Sequence, residues 1–185
     1  MKRHSFRQAL SSYQNGFAAV EMILVTPVLL LMVGGIIEIT QLLQANSILI
    51  NLTREGANLV SRTSIYKPEQ IMTLIASTAS PLDLQSDGAI YITLVTGQED
   101  DDPYVNGQYR WTQSGISKDS DTWSGCDAWE NGKCELDDPL PTLSNFPIQL
   151  DDEESVYVVE IFYQYSPLTN FIYHSNFTIS DTTYL

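Results

Sequence analysis

Residues 17–43 read FAAVEMILVTPVLLLMVGGIIEITQLL, and this stretch decides the class of the chain. Its only charged side chains are Glu21 and Glu38, and every residue in 22–37 is uncharged. A helix needs about 20 mostly apolar residues to cross the hydrocarbon core of a bilayer. The stretch is longer than the apolar part of a cleaved secretory signal, and a core helix of a soluble domain normally keeps a polar face. We therefore predict a transmembrane helix over residues 17–43.

The charges that flank this helix predict its orientation. Lys2, Arg3 and Arg7 precede it, and no comparable basic cluster follows before Arg54 and Arg62. Basic flanks of a membrane helix stay on the cytoplasmic side. We expect a cytoplasmic N-terminus, with the chain after about residue 40 outside the cytoplasm.

The chain is strongly acidic, with a formal net charge of −14. From residue 83 onward, 19 acidic side chains stand against only Arg110, Lys118 and Lys133. Such a domain repels the phosphates of DNA and RNA, so nucleic acid is excluded as a partner. The simplest interpretation of the excess acid is solubility and suppression of non-specific association.

Glu21 is the most informative residue of the apolar stretch, because an ionisable group inside a membrane indicates a function. If the chain is cut after Gly16, Phe17 gains a free ammonium and Glu21 becomes the fifth residue of the mature chain. An ammonium buried in a helix bundle needs a counter-charge, which Glu21 of a neighbouring subunit would supply. The alternative is that Glu21 lies near the membrane interface and reaches the water.

A basic leader followed by Gly16, Phe17, an apolar helix and Glu21 resembles the processing signature of type IV prepilins and pseudopilins. Residues 18–38 and the segment 53–57 (TREGA) look more specifically like the TadE/TadF-like minor pseudopilins of tight-adherence (Flp) pilus systems. The resemblance implies cleavage between Gly16 and Phe17 by a prepilin peptidase. It also implies partners among other pilins or pseudopilins, the pilus assembly platform and membrane lipid, and a part in assembling a pilus.

Two features favour a minor pseudopilin over the main filament subunit. Met22 follows Glu21, where the major Flp pilins usually carry an aromatic residue. The chain of 185 residues is also much longer than those pilins usually are. We predict four segments: a prepilin-type leader over 1–16, the transmembrane helix over 17–43, an amphipathic helix extension over 44–64, and an exported acidic α+β domain over 65–185.

The helix extension carries an apolar stripe at helical spacing. Our preferred interpretation is that the domain packs on its own helix, and the alternative is a seam for a partner pseudopilin. The stripe consists of Leu42, Ala45, Leu49, Leu52, Gly56 and Leu59, widened by Ile48 and Val60.

The rest of the chain predicts one short helix and a small antiparallel sheet. The helix begins at residues 67–69, where Pro68 suits a first turn, and its apolar face is Ile71, Leu74 and Ile75. Alternation and β-branched residues predict strands over 89–96, 107–113 and 155–165, with a further one over 171–179. An acidic turn over 100–103 and an irregular excursion over 114–146 connect them. The fold class is therefore α+β: a long N-terminal helix and three or four strands, the arrangement that pilin-like proteins show.

Cys126 and Cys134 flank an Asn131-Gly132 turn and would form a disulfide in an oxidising compartment. Two cysteines without nearby histidines make a poor zinc site. We expect neither a cofactor nor a metal, although clustered acids such as Asp100, Asp101 and Asp102 leave calcium as an alternative to solvated loops.

We find no catalytic motif in the sequence and expect that the chain is not an enzyme. Only His4 and His174 supply imidazole, and no phosphate-binding loop or nucleophile elbow is present. A second hypothesis is a membrane-anchored adhesin or ligand-binding module that keeps its leader. Its contact surface would be the cysteine loop with the three tryptophans, Trp111, Trp123 and Trp129.

Overall fold

The computed structural model describes residues 4–62, 66–168 and 175–185, with side chains from Ala19 onward. Within these ranges the fold is α+β, as predicted: three helices and an antiparallel sheet of six strands. In chain order the elements are α1 (His4–Arg62), α2 (Pro68–Thr78), α3 (Leu84–Asp87), β1 (Gly88–Gln98), β2 (Asp101–Arg110), β3 (Trp129–Glu130), β4 (Lys133–Cys134), β5 (Ser155–Tyr165) and β6 (Phe177–Tyr184).

The strand order in the sheet is β3-β4-β2-β1-β5-β6. Strand β1 is central, and it pairs with β5 without a register shift, so that Ile90 lies beside Ile161 and Ile92 beside Val159. Strand β5 begins and ends where the sequence predicts, because its long apolar run is covered on both faces. Two of the six strands have two residues each, which is why the sequence predicts fewer.

Three boundaries differ from the predictions. Strand β2 starts at Asp101, inside the expected acidic turn, and ends before Trp111. Pro103 is tolerated there because it lies opposite the register shift between Thr96 and Gln98, where the ladder is already irregular. Strand β6 runs to Tyr184 instead of ending at residue 179, and the expected start of that strand lies outside the described residues. Helix α3 was not predicted, because it is a single turn capped by the Asp83 carboxylate.

The buried face of helix α2 differs from the apolar face that the sequence predicts. Ile71 and Ile75 are buried as expected, but Met72 is buried as well and Leu74 is 47% exposed. Met72 therefore takes the inner position that the sequence assigns to Leu74.

Residues 42–166 and 176–185 form one compact unit, which we call the domain. One face of its sheet packs against α2 and the last five turns of α1, around Leu49, Leu52, Ile71, Ile90 and Ile161. The opposite face is covered by residues 116–150, which comprise most of the excursion and the four residues after it. There Val95, Val105 and Val158 contact Leu143 and Phe146. The part of α1 before Leu42 belongs to a second unit.

Candidate functional site

We call residues 19–41 of α1 the anchor helix, and its apolar surface is almost entirely exposed. Every residue from Ala19 to Val33 is exposed, including Ile23 (71%) and Leu30 (67%). The helix is long and apolar enough to cross a membrane. At 1.5 Å per residue, residues 19–37 span about 28 Å, close to the roughly 30 Å of a hydrocarbon core. An apolar surface on all sides of a helix is suited to an apolar medium.

Glu21 lies on this exposed surface. Its side chain forms no hydrogen bond or ion pair with the residues that the structure describes. Gly16 and Phe17 lie in α1, but their side chains fall outside the described residues, so the predicted cleavage site stays a prediction. An exposed carboxylate among exposed apolar side chains is available to a partner from another molecule.

The position of Glu38 near the end of the apolar stretch predicts that it lies at the outer membrane interface and is solvated there. This prediction is wrong, because the residue is only 1% exposed.

The turns of α1 that belong to the domain carry buried apolar side chains, whereas those of the anchor helix are exposed. Leu49, Leu52 and Ala57 are at most 4% exposed and form part of the main core. A Cβ added to Gly56 would meet Cδ1 of Ile75 at 2.6 Å and Cγ1 of Val159 at 3.2 Å, so only glycine allows α2 and β5 this close to the helix. Our preferred interpretation of the apolar stripe, that the domain packs on its own helix, is confirmed for these turns.

Thr53 adds a polar contact in the middle of this apolar interface. The residue is fully buried, its hydroxyl donates to the Asp181 carboxylate of β6, and it accepts from Thr183 Oγ1 at 3.1 Å. Because this buried hydroxyl has both an acceptor and a donor partner, it fixes helix α1 against strand β6. The only sequence signal for this contact is a threonine inside the apolar stripe.

Cys126 and Cys134 lie at disulfide distance, with Cα atoms 6.0 Å apart. Between them, Asn131 (φ 48°) and Gly132 (φ 80°) form the turn that joins β3 and β4. Two consecutive positive φ angles are the geometry that an Asn-Gly hairpin favours. The amide of Arg110 donates to the Gly132 carbonyl at 2.7 Å, which attaches this hairpin to β2.

Glu160 forms a buried polar centre between the sheet and the excursion. Its carboxylate accepts hydrogen bonds from the amides of Asp121 (3.0 Å) and Thr122 (2.9 Å) and from the Ser120 hydroxyl. Burial raises the pKa of this carboxyl, and the hydrogen bond from Ser120, followed by those from Thr122 and Asp121, partly opposes that rise. Sequence reasoning missed this centre, because Glu160 lies in an apolar strand far along the chain from its partners.

The three tryptophans do not share a surface. Trp111 is 3% exposed and packs in the main core, where its indole N–H donates to Thr73 Oγ1 at 3.2 Å. Trp123 and Trp129 are half-buried and belong to separate apolar clusters. The predicted contact surface made of all three tryptophans is therefore wrong, because Trp111 is buried inside the domain. Among the described residues, no group of three or more His, Cys, Asp or Glu side chains is arranged to hold a metal.

A single exposed apolar helix joined to an α+β domain is compatible with a single-pass membrane protein. A family model described as TadE-like protein matches residues 16–58. The match begins at Gly16, includes Phe17 and Glu21, and ends inside the turns of α1 that pack on the domain. The resemblance to TadE-like pseudopilins is thereby confirmed for this segment. No curated protein and no solved structure matches the chain.

Proposed function

We propose that this chain is a minor pseudopilin that takes part in the biogenesis of a tight-adherence (Flp/type IVb) pilus. The observation that carries the proposal is the TadE-like match over residues 16–58. It coincides with the anchor helix, whose apolar side chains find no cover among the described residues. Such a helix is suited to lie in lipid and then among the helices of other pilins or pseudopilins at an assembly platform.

In this proposal a prepilin peptidase hydrolyses the peptide bond between Gly16 and Phe17. Water adds to the Gly16 carbonyl carbon, the carbonyl–nitrogen bond breaks, and Phe17 keeps the amine, which is protonated at neutral pH. Glu21 supports the assembly step, because its exposed carboxylate is free to pair with the ammonium of a neighbouring subunit. Breaking a buried ion pair by removing one partner costs about 3–5 kcal/mol.

The domain would lie outside the cytoplasm and the leader inside it. The basic leader favours this orientation, and the Cys126–Cys134 pairing suits an oxidising compartment. We infer a structural subunit of an assembly machine in the cytoplasmic membrane, which is a substrate of the peptidase and has no catalytic activity of its own.

The first test is the intact mass and N-terminal sequence of the chain purified from its native membrane. We expect a mature chain that begins at Phe17. A chain that begins at Met1 would refute processing and favour a membrane-anchored binding module.

The second test compares Glu21→Gln with Glu55→Gln. Both residues are exposed glutamates of α1, but Glu55 lies in the turns that belong to the domain. We expect loss of surface pili for Glu21→Gln, with normal membrane insertion, and normal piliation for Glu55→Gln. Normal piliation with Glu21→Gln would contradict the role of this carboxylate.

A further inference from the structure

The domain contains a pocket of about 440 Å³, and all the residues that line it belong to the domain. It lies at the junction of β1, β2, the β3–β4 hairpin and the first part of the excursion, and its volume is in the range of small-ligand sites, roughly 300–1,000 Å³. Residues with polar or aromatic groups line it, among them Tyr91, Arg110, Thr112, Lys118, Trp129 and Asn131.

This pocket brings together most of the basic side chains of an acidic stretch. Only three basic side chains follow residue 83, and two of them, Arg110 and Lys118, line this pocket. Asp119 lines it as well, and the Glu69 carboxylate lies behind Thr112, whose amide and hydroxyl donate to it. The pocket as a whole is therefore not basic, and its capacity to bind an anion rests on Arg110.

Arg110 is the group best placed to bind an anion. Its Cζ lies 4.7 Å from the ring centroid of Trp129, which is a cation–π distance. Among the described residues the guanidinium has no ion pair and donates no hydrogen bond, so its N–H groups remain available. Lys118 differs, because its ammonium is bound to the Asp121 carboxylate at 2.6 Å.

The surrounding structure holds Arg110 in this position. The Trp129 ring lies 6.1 Å from the ring of Tyr91, which is 8% exposed and whose hydroxyl donates to the Lys118 carbonyl at 2.8 Å. The backbone of Arg110 is fixed by its bond to Gly132 in the disulfide-closed hairpin. A guanidinium fixed in this way loses little freedom when it binds a carboxylate in two-point fashion.

We propose that this pocket binds a singly charged acidic sugar, with the sugar carboxylate on Arg110. The Ser117 hydroxyl and the Asn131 amide would donate to the sugar hydroxyls. The hydroxyls of Thr112 and Ser114 already donate to the Glu69 carboxylate and the Trp111 carbonyl, so their oxygens, like the Asp119 carboxylate, would accept from the sugar. Asp119 and the acidic surface disfavour polyanions and phosphates, whose further negative charge would be repelled. A short acidic peptide is disfavoured, because extended peptides bind along an open strand edge, and β2 has β1 on one side and β4 on the other. This inference does not depend on processing of the leader.

The test is isothermal titration of the full chain in detergent micelles with glucuronate, glucose, tetraglutamate and polygalacturonate. We expect saturable glucuronate binding in the millimolar range, about tenfold or more tighter than glucose. Tighter binding of tetraglutamate or polygalacturonate, or equal binding of glucose, would overturn the proposal, as would the absence of saturable glucuronate binding.

Two variants locate the binding. Arg110→Gln should weaken glucuronate binding about tenfold or more, since charge-assisted hydrogen bonds are lost. Lys133→Gln is the matched control, because Lys133 is the third basic residue of this region and does not line the pocket. Equal loss in both variants would show a general charge effect and refute the site. Unchanged thermal unfolding of Arg110→Gln would show that its exposed side chain acts on the ligand and not on the fold.

Discussion

Helix α1 has two parts with similar leucine content and opposite surroundings. In the anchor helix, Leu29, Leu30 and Leu31 are 54%, 67% and 49% exposed, whereas Leu49 and Leu52 are 0% and 4% exposed. The difference follows from spacing. The anchor helix is apolar on all sides, which suits lipid, while the later turns carry one stripe between asparagines and arginines, which suits one protein face. Apolar content alone therefore does not tell what surrounds a helix.

The threonines of α1 show the same contrast. Thr26 and Thr40 donate to the carbonyls of Met22 and Ile36 in their own helix, at 2.7 and 2.8 Å. Hydroxyls in an apolar medium are satisfied locally in this way. The Thr53 hydroxyl also has a carbonyl of its own helix within reach, that of Ile50 at 3.1 Å, but in addition it contacts the Asp181 carboxylate of β6.

The largest expected effect is that of removing a leucine side chain from each part. Leu49→Ala should lower the free energy of unfolding of the domain by about 2–5 kcal/mol, because it leaves a cavity in the main core. Leu30→Ala should leave that free energy unchanged. Urea denaturation of both variants in detergent micelles measures the difference, and equal losses would break the comparison.

The second expected effect concerns the buried hydroxyl. Thr53→Val should cost about 1–3 kcal/mol, since the Asp181 carboxylate loses its donor in a partly buried position. The same substitution at Thr40 removes only a bond within its own helix and should not change the thermal unfolding of the domain. A neutral Thr53→Val would show that water replaces the lost donor.

The third prediction uses two of the glycines of α1, Gly56 and Gly34, as probes of the space around the helix. Gly56→Ala should destabilise the domain by about 1 kcal/mol, since overpacking of about 1–3 kcal/mol exceeds the helix-propensity gain of about 1 kcal/mol. Gly34→Ala should have no effect on the domain, because a Cβ there has nothing within 4 Å.

A double-mutant cycle sharpens this prediction. Ile75→Val removes the Cδ1 atom that the new Cβ would meet at 2.6 Å. Combined with Gly56→Ala it should therefore cost less than the sum of the two single variants. Additive losses would show that the clash at Ile75 is not the cause.

The smallest expected effect is a pH dependence that belongs to the domain and not to the anchor helix. Burial raises the pKa of Glu160 above its ordinary value of 4.5. Between 4.5 and the raised pKa the folded state binds more protons than the unfolded state, so the unfolding free energy falls as the pH rises. Below this window the contribution of Glu160 is fully present.

The control for this prediction is Glu160→Gln, which cannot ionise. The unfolding free energy of the wild type minus that of the variant should decrease as the pH rises from about 4.5, by an amount that denaturation at a series of pH values measures. A constant difference would show that Glu160 titrates normally.

Local patterns in the sequence predicted a large part of the fold. The apolar run over 155–165 predicted β5 to the residue, and Asn131-Gly132 predicted a turn, because each signal is local. Strand β6 was misplaced because it is an edge strand of alternating hydroxyl residues, which lacks the apolar run of a buried strand. Helix α2 shows the limit of a periodic pattern, since spacing alone does not decide between Met72 and Leu74.

The polar sites could not be predicted, because strand order brings their residues together. Tyr91, Arg110 and Trp129 are distant in sequence and meet only since β1, β2 and the β3–β4 hairpin are neighbours in the sheet. Glu160 and Ser120 are 40 residues apart. At the N-terminus the reverse holds: the signature around Gly16 and Glu21 is readable from the sequence, and its predicted partners lie on other molecules.

The pairing of β1 with β5 has a consequence for the timing of folding. Ile90 and Ile161 are direct neighbours at the centre of the sheet, yet the excursion separates them along the chain. A chain that emerges from its N-terminus onward makes α1, α2, β1 and β2 well before β5. The apolar face of β1 then stays half-covered until residues 155–165 arrive, and closing so long a loop is slow. The central pair of the sheet is therefore completed only after residues 155–165 have been synthesised.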